Sequence, residues 1–575
     1  MRFSFLSHRM AGAALAAGLL AACSSGGGGS TFSPSSAGNA PMSAVAAHGG
    51  TGAWTNLGAA PDSTQVDLAV VFKYRNDAKL ETLVEDQADP SSGRYHRFLT
   101  PSQFAREYGP TQQAYSDAIG QLRAAGFTIG HQFANRTVLD VSAPAPLTAK
   151  YFATKIDLVR RGDGSVRHVN TTRETIPPAL ADSVLTVVGL DNAHEMIPQY
   201  AFKPGARTHK PAPRNKPRAA PLFGPDGGYG PRVFQASYNF PKNMDGSGRA
   251  SAVVGDADFL DSDLAAYLAY FQVNRTGPAT TRVLVDGGPP PGLTGDSLET
   301  TLDVETLVSI APGTALYVYE VPGSPDLRYF ADMYNQIVSD NKADTVNTSY
   351  SECETAFIPS FPMAANAIEK QGNALGITFH ASTGDYGTIT YGCSSTTSVG
   401  TPADTPHNVA IGGTILDVNS TTGQETSEVG WNDSSGATGG GISVVFTLPP
   451  FQRQVVNTIK KHRNIPDLSF DASPYTGESL YYGGSFDGPI GGTSLSSPIF
   501  GAGLTILDQV RHARAGHFTK TTYKTWKANG YGSGSTTYLR DITSGSIPPY
   551  SAKPGYDQMT GIGAMLFGNF VTLLH

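Results

Sequence analysis

The sequence has few charged side chains and no excess of basic ones. Asp, Glu, Lys and Arg make up 15% of its 575 residues, whereas roughly 25% is usual for a soluble protein. The 41 Lys and Arg residues are outnumbered by 48 Asp and Glu residues, so there is no overall positive field to attract a nucleic acid, and we expect no such partner. Glycine and proline are plentiful, at 65 and 39 residues, which is typical of a turn-rich exported globular protein.

The N-terminus lacks an apolar run long enough to span a membrane. Arg2 and Arg9 precede the apolar residues 10–20, and this pattern predicts a signal peptide over residues 1–22 that exports the chain from a bacterial cell. Leu-Ala-Ala followed by Cys23 is similar to the lipobox of bacterial lipoproteins, which would attach a lipid to Cys23 and tie the chain to a membrane. The sequence therefore predicts an outer-membrane lipoprotein, with an ordinary secreted protein as the alternative.

Cysteine is scarce. Besides Cys23, the chain contains only Cys353 and Cys393. Two cysteines in an exported protein favour a disulfide between them, and two buried thiols are the alternative.

Composition separates three segments before the main domain. Residues 23–60 are mostly Gly, Ser, Ala and Pro, which predicts a flexible tether; His48 within it has nothing to orient it for catalysis. Residues 61–200 alternate short strand and helix patterns and predict a small α+β domain. Residues 201–230 combine basic residues with Pro and Gly, and we expect an exposed linker with a proteolytic processing site.

Residues 231–575 contain strand and helix patterns in repeated alternation. The strand pattern 250–254 followed by the helix pattern 264–271 is an example. This alternation predicts an α/β domain built on a parallel sheet with helices on both faces. In such folds the functional side chains lie at the carboxyl ends of strands and at adjoining helix N-termini.

Ser494 follows Gly491, Gly492 and Thr493 and precedes an apolar segment that predicts a helix. The glycines allow a tight turn, so Ser494 lies at or just before a helix N-terminus. Unpaired N–H groups and the positive end of the helix dipole favour a developing oxyanion at this position. The plain alternative is a loop that caps a helix.

Three carboxylates accompany this serine. Glu299 and Asp303 are four residues apart and share one face of a predicted helix that continues through Leu307. Asp385 follows an apolar strand in a Gly-Asp turn, at the edge where a catalytic carboxyl would lie. The alternatives are a capping box from Asp296 to Glu299, a surface position for Asp303 and an ordinary turn at Asp385.

Taken together, Glu299-x-x-x-Asp303, residues 382–385 and residues 491–498 resemble the signature of the sedolisins, or serine-carboxyl peptidases, especially the kumamolisin branch. Residues 89–101 are similar to the activation domain of those proenzymes, and Trp431 with residues 436–443 to their substrate pocket. The resemblance implies a subtilisin-like parallel sheet preceded by an α+β prodomain that inhibits its own enzyme. It also implies a protein or peptide substrate.

The same resemblance assigns a role to each site residue. Ser494 is the nucleophile, Glu299 the general base, Asp303 the residue that orients Glu299, and Asp385 an oxyanion-hole donor. A carboxylate base stays ionised in acid, where a histidine is already protonated. Asp385 can donate a hydrogen bond only when it is protonated. Both requirements predict an enzyme that works in acid, with a pH profile set by the coupled carboxyls together.

Two loops near the C-terminus resemble the calcium site of the same family. Carboxylates and backbone carbonyls in Gly-rich loops are hard oxygen ligands of the kind that Ca²⁺ takes. The resemblance implies side-chain ligation by two residues and carbonyl ligation by three: Asp541 and Asp557, and Ile542, Lys553 and Gly555.

The sequence also departs from the family. Ser349–Ser351 stand where members often have a Trp, and Gly255 where some have a Glu, so we expect a shorter hydrogen-bond network around the carboxyls. Our hypothesis is a self-processing endopeptidase, with a tripeptidyl-peptidase as the alternative within the family. Two rivals lie outside it: a histidine-dependent subtilisin-type protease that uses His380, and a surface-anchored binding protein on an inactive scaffold.

Overall fold

The computed structural model describes residues 54–203, 210, 220–323, 326–355, 360–393, 397–453, 455–456 and 461–574. The predicted signal peptide, Cys23, His48, most of the tether and most of the basic linker lie outside these residues. Within the described part of the chain, no helix is both long enough and apolar enough to cross a membrane.

The N-terminal part of the described chain is an α+β domain, as predicted. Its elements and the two short strands that follow it are, in chain order, β1 Thr55–Ala59, β2 Gln65–Phe72, α1 Asp77–Gln87, α2 Pro101–Glu107, α3 Gln112–Ala124, β3 Thr128–Gln132, β4 Val138–Pro144, α4 Ala145–Tyr151, β5 Ile156–Arg160, β6 Val166–Asn170, β7 Val184–Val188, β8 Ile197–Pro198 and β9 Ala201–Phe202. Strands β3, β4, β2 and β7 form an antiparallel sheet in that order, and β1, β5 and β6 form a second one.

The structure differs from the predicted tether at its end. Thr55–Ala59 form strand β1, which pairs antiparallel with β5. All five residues are exposed, so no apolar pattern marks this strand in the sequence. Its order comes from the main-chain hydrogen bonds of an edge strand, which any residue except proline can make.

The remainder of the chain is the large α/β domain. Its first half contains α5 Pro231–Ser237, β10 Ala250–Gly255, α6 Asp261–Phe271, β11 Thr281–Leu284, α7 Ser297–Ile310, β12 Ala315–Glu320, α8 Leu327–Asp340, β13 Thr345–Thr348, β14 Tyr350–Cys353, α9 Ser360–Ala374 and β15 Thr378–Ser382. Its second half contains β16 Gly400–Thr401, β17 Asn408–Val418, β18 Glu425–Gly430, β19 Asn432–Asp433, β20 Gly436–Ala437, β21 Gly441–Thr447, β22 His462–Ile465, β23 Leu468–Asp471, β24 Tyr481–Tyr482, β25 Ser485–Phe486, β26 Ile490–Gly491, α10 Thr493–Arg511, α11 Phe518–Asn529, β27 Leu539–Arg540, β28 Ser546–Ile547, β29 Tyr550–Ser551, β30 Ala564–Met565 and α12 Phe567–Phe570.

The central sheet confirms the predicted fold class. Its order is β11, β12, β10, β13, β15, β17 and β18, with β23 also paired to β17. The strands are parallel except for β18, which runs antiparallel to β17. The carboxyl ends of β13 and β15 therefore meet at one edge of the sheet, beside the N-terminus of α10.

Helices cover both faces of this sheet. In β10, Val253 packs in the core layer that contains Leu302 of α7 and Ile499 of α10. Its neighbours Ala252 and Val254 point to the opposite layer, which contains α8 and α9. Successive side chains of the strand thus point alternately into the two layers. Both layers are apolar, which explains why the sequence of the strand is continuously apolar.

The N-terminal α+β domain packs on the α8 and α9 side. In strand β2, Val66, Leu68 and Val70 belong to the domain's own core, whereas Val71 packs in the layer of the large domain. One strand therefore serves two cores, one through each face. The structure also joins Cys353 and Cys393 in the predicted disulfide.

Candidate active site

Ser494 is the second residue of helix α10, and Gly492 before the helix has φ of 97°. That left-handed conformation is one that side-chain-bearing residues rarely adopt, which gives the glycine its local role. The Ser494 hydroxyl donates to Glu299 Oε2 at 2.9 Å, and both side chains are buried. Helix α7 supplies Glu299 near its start, while Asp296 makes no capping hydrogen bond. The capping-box alternative is therefore absent here.

Asp303 lies one turn further along α7 and is also buried. The Ser349 hydroxyl donates to Asp303 Oδ1 at 2.7 Å, and the Asn347 amide donates to the Ser349 hydroxyl at 3.0 Å. Sequence reasoning noted Ser349 only as a departure and missed Asn347. Their position at the carboxyl end of β13 was the available signal.

Burial dominates the electrostatics of this pair. It raises the pKa of Glu299 well above its usual range, and the charge of Asp303 raises it further, while the hydrogen bond from Ser494 acts in the opposite direction. Burial also raises the pKa of Asp303, partly offset by hydrogen bonds from Ser349 and Asn347. Two buried carboxyls this close ionise as one unit, so the first proton is lost far more easily than the second.

Asp385 lies just beyond strand β15, after Gly384, whose φ is 107°. Its Oδ1 accepts hydrogen bonds from the N–H and the hydroxyl of Thr493, at 2.7 and 2.8 Å. Its Oδ2 is buried without a hydrogen-bond partner. Burial raises the pKa of Asp385 to about 7, against the two bonds from Thr493. Asp385 is therefore largely protonated in acid, with one oxygen available as a donor.

The substrate-pocket segment predicted from the sequence supports this turn. The Ala437 N–H donates to the Asp385 carbonyl at 3.0 Å, and the Gly439 N–H donates to the Gly384 carbonyl at 2.6 Å. A Cβ on Gly439 would lie 2.0 Å from the Thr383 carbonyl oxygen. Only glycine allows the two backbones to approach this closely.

The segment that follows the N-terminal α+β domain crosses the site. The Gln199 carbonyl accepts a hydrogen bond from the Ser494 N–H at 2.8 Å, and the Gln199 N–H donates to the Ser349 carbonyl at 3.0 Å. Gln199 Oε1 accepts from the Asp385 N–H at 3.2 Å. A Cβ on Gly492 would lie 2.3 Å from the Gln199 carbonyl oxygen and 2.5 Å from Asp385 Oδ2. These two oxygens thus share one small space beside Ser494.

His380 occupies a different position from Ser494. Its Nδ1 lies 2.9 Å from the Ser497 hydroxyl, and its ring packs against Phe500. Burial lowers the pKa of His380 to about 3. A histidine that contacts another serine cannot take the proton of Ser494, which removes the observation on which the histidine-dependent rival rested.

The loops of the predicted calcium site lie together. Asp541 Oδ2 accepts from the Gly555 N–H at 3.1 Å, and Asp557 Oδ2 accepts from the Lys553 N–H at 3.0 Å. The Thr560 hydroxyl bridges the Ile542 carbonyl, at 3.4 Å, and Asp557. The donor set of two carboxylates and nearby carbonyls in tight loops fits a hard cation.

A different acidic cluster joins the two domains. Among the described residues, oxygens of Asp140, Asp286 and Asp332 lie within 4.8 Å of one another. Arg328 Nη1 lies among them, at 2.6 Å from Asp332 and 3.6 Å from Asp286. Burial raises the pKa of Asp140 to about 6 although Arg328 opposes it. The guanidinium supplies the positive charge here, so we interpret this cluster as an ion-pair network.

Comparison with known proteins connects this geometry to a family. The model of the Pro-kumamolisin activation domain matches residues 52–193. Sedolisin of Pseudomonas sp. (strain 101) is 30% identical over 531 residues, which cover 87% of this chain and 85% of that protein. The chain belongs to the sedolisin family. It is a serine-carboxyl peptidase made as a proenzyme, with an activation domain ahead of the peptidase domain.

Other sedolisin-family proteins agree with this assignment. Xanthomonalisin of Xanthomonas sp. (strain T-22) is 28% identical over 570 residues, which cover 90% of this chain, and this chain spans 66% of that protein's length. The structure of a Pseudomonas sedolisin (serine-carboxyl proteinase) with two molecules of pseudo-iodotyrostatin superposes with a TM-score of 0.54 at 28% identity. It covers 60% of this chain and 98% of the other.

Proposed function

We propose that this chain is an acid-active endopeptidase that removes its own activation domain. Ser494 is the nucleophile, Glu299 the general base, Asp303 the residue that orients Glu299, and Asp385 the donor to the oxyanion. The observation that carries the proposal is the 2.9 Å hydrogen bond from the Ser494 hydroxyl to Glu299, at the N-terminus of a buried helix. This is the pairing of nucleophile and base that acyl transfer requires.

The chemistry follows from the protonation states. Glu299 takes the proton of Ser494 as the hydroxyl oxygen attacks the carbonyl carbon, and Asp303 stabilises the proton that Glu299 then holds. The oxyanion accepts hydrogen bonds from the Ser494 N–H and from protonated Asp385 Oδ2. Glu299 returns the proton to the leaving amine. A water molecule then repeats the sequence and releases the acyl group.

Each pH limb has a physical origin. The pKa of about 7 at Asp385 means that its donor is lost as the pH rises through neutrality. At low pH the Glu299–Asp303 pair takes up its second proton and loses its base. We therefore expect a bell-shaped profile with its maximum in acid.

An endopeptidase is favoured over a tripeptidyl-peptidase by the chain that crosses the site. Residues before and after Gln199 are paired with the walls of the cleft, β8 with β14 and β9 with β26. A cleft that admits polypeptide on both sides of the serine supports cleavage within a chain. A pocket that closed after three residues would exclude cleavage within a chain.

We also propose that Asp541 and Asp557, with the carbonyls of Ile542, Lys553 and Gly555, hold Ca²⁺. A bound ion would cross-link loops that otherwise carry two carboxylates whose pKa values burial raises. Chelation should lower the melting temperature of the Ser494→Ala proenzyme, and Asp557→Asn should abolish that response. An unchanged melting temperature would contradict the site.

We also propose that the chain is exported from a bacterial cell and attached to a membrane through a lipid on Cys23. This part of the proposal rests on residues 1–23 alone. Mass spectrometry of the protein from a bacterial host would detect the lipid on a mature N-terminal cysteine. A mature chain cut elsewhere in this region, without lipid, would favour plain secretion.

The proposed activity has a direct test. Purified precursor and its Ser494→Ala variant are incubated at pH 4 and pH 7.5, and chain length and hydrolysis of a denatured protein are followed. We expect shortening and hydrolysis only for the wild type and only in acid. Equal shortening of both proteins, or inertness of the wild type at both pH values, would favour the binding-scaffold alternative.

A further inference from the structure

Gln199 occupies the position of a bound substrate residue in the proposed site. Its carbonyl oxygen meets the Ser494 N–H at 2.8 Å and lies beside the unpartnered Asp385 Oδ2. A substrate carbonyl about to be attacked must contact these same two groups. Its N–H is held by the Ser349 carbonyl, which also lies 3.2 Å from the Ser494 hydroxyl.

The flanking residues continue the same register. Before Gln199, Ile197 and Pro198 pair antiparallel with Ser351 and Tyr350. After it, Ala201 and Phe202 pair antiparallel with Gly491 and Ile490, directly before the serine turn. The cleft therefore pairs with extended backbone on both sides of the Gln199–Tyr200 peptide bond, as in β-strand addition.

From this register we propose that the Gln199–Tyr200 peptide bond is the first bond that the proenzyme cleaves. The inference rests on the proposed function, because it uses Ser494 and the carboxyls in the roles given above. It puts the scissile bond after the activation domain, between strands β8 and β9 and immediately before the predicted linker 201–230. Bonds within that linker would be trimmed later.

The bonding changes are those of ordinary acyl transfer. The Ser494 Oγ bonds to the Gln199 carbonyl carbon while its proton passes to Glu299, and the bond from that carbon to the Tyr200 nitrogen breaks. The Tyr200 nitrogen takes the proton from Glu299 and becomes the new N-terminus. Water then adds to the acyl carbon and gives a proton to Glu299. The bond from that carbon to the Ser494 Oγ breaks, the Oγ takes the proton back from Glu299, and Gln199 is left with a carboxyl group.

The surroundings of the Gln199 side chain indicate which residue types this position of the cleft accepts. It is buried, its Oε1 accepts from the Asp385 N–H at 3.2 Å, and its Nε2 donates to the Ile197 carbonyl at 2.6 Å. An uncharged residue fits this position better than an acidic one, because the surrounding carboxyls disfavour a further negative charge.

The test is a time course of acid activation, with N-terminal sequencing and intact mass of every fragment. The earliest new N-terminus should be Tyr200, and its rate of appearance should not change with dilution, because an occupied cleft makes the reaction intramolecular. A first cut inside residues 201–230 or elsewhere, still dependent on Ser494, would overturn this inference and leave the proposed function standing. An inert wild type would remove both.

Two variants of one residue sharpen the test. Gln199→Pro deletes the N–H that binds the Ser349 carbonyl, so cleavage at this bond should slow by about 100-fold or more, since small misplacements cost that much. Gln199→Ala keeps the N–H and should remain within about tenfold of the wild type. Melting temperatures verify that both proteins fold. Equal rates of cleavage after residue 199 in the two variants would contradict the inference.

Discussion

Two sets of carboxylates in this molecule stand in opposite surroundings. In the proposed active site, Glu299 and Asp303 are buried beside each other and accept hydrogen bonds from hydroxyls, and burial raises the pKa of both. At helix α1 of the activation domain, burial acts the same way on Glu81, but the charges of His407 and Lys370 outweigh it and lower the pKa. The charges of neighbouring groups thus decide whether the pKa of a buried carboxyl rises or falls.

The second set forms a row along the domain interface. Residues 77, 81, 85 and 89 are spaced by four and so lie on one side of the helix and its extension. Their ion-pair partners belong to the peptidase domain: Asp77 with Lys370 at 2.7 Å, Glu81 with Lys370 at 3.4 Å, Glu85 with Lys520 at 2.5 Å, and Asp89 with Lys524. For Asp89, burial is outweighed by the hydrogen bond from Lys524, and the pKa falls to about 2.

The contrast predicts an order of events in acid. Burial raises the pKa of Asp385 to about 7, so Asp385 takes up its proton in mild acid, while the Glu299–Asp303 pair keeps its base until it takes up a second proton at lower pH. Glu81 and Asp89 lose their charge only in stronger acid. The site therefore becomes competent while the activation domain is still bound, and cleavage precedes release.

The largest effect should come from Ser494→Ala, since this substitution removes the proposed nucleophile. Removing the serine of a subtilisin costs about a millionfold in turnover, and we expect self-cleavage to become undetectable. The matched control is Ser497→Ala, which removes the contact of the Ser497 hydroxyl with His380 and should still self-process. Self-cleavage by the Ser494→Ala precursor would show that Ser494 is not the nucleophile of this reaction.

The next effect tests the oxyanion donor. Asp385→Ala should lower the self-cleavage rate by about 10²- to 10³-fold, the usual cost of losing one oxyanion donor. Asp385→Asn donates at every pH, so its rate should no longer fall as the pH rises through 7, the pKa of Asp385 being about 7. Rates of precursor shortening between pH 3 and pH 9 measure this. An unchanged alkaline limb in the asparagine variant would assign that limb to another group.

A smaller effect is expected at Asp303. Asp303→Asn removes the negative charge that raises the pKa of Glu299, so the acid limb should move to lower pH and the maximal rate should fall by about tenfold to a hundredfold. Glu305→Gln is the matched control, because Glu305 is a buried carboxyl on the same helix that accepts from the Tyr481 N–H at 2.9 Å. If Glu305→Gln moves the acid limb equally, the effect is structural.

The smallest effect concerns the interface. Because the pKa of Glu81 is lower in the folded than in the unfolded chain, its charge stabilises the folded protein above its ordinary pKa near 4.5 and less as the pH falls below that value. Its side chain is 40% exposed, so solvent screening limits the contribution to about 1 kcal/mol.

Denaturation of the Ser494→Ala proenzyme measures this contribution. Glu81→Gln should lower the free energy of unfolding at pH 6, and the difference should shrink toward pH 3. Asp86→Asn, on the same helix but in none of the ion pairs described above, serves as the control. If the difference in the free energy of unfolding between Glu81→Gln and the parent protein grew as the pH fell, the pKa of Glu81 would not be lowered by folding.

Much of the fold was predictable because the periodicity is local. The strand pattern 250–254 and the helix pattern 264–271 correspond to β10 Ala250–Gly255 and α6 Asp261–Phe271. Strand β1 was not predictable, since its exposed residues carry no apolar pattern and its order depends on pairing with β5. Local side-chain patterns report burial against a core, and they do not report main-chain pairing with a distant strand.

The residue types that could perform the chemistry were recognisable from local patterns, since Ser494 stands at a helix N-terminus, Glu299 and Asp303 on one helix face and Asp385 after a strand. The surroundings of these residues depend on the packing of the whole chain. Ser349 reaches Asp303, His380 turns to Ser497, and Gln199 lies against Ser494. These contacts join residues up to 295 positions apart, from Gln199 to Ser494, and such pairings arise from chain packing that no local pattern encodes.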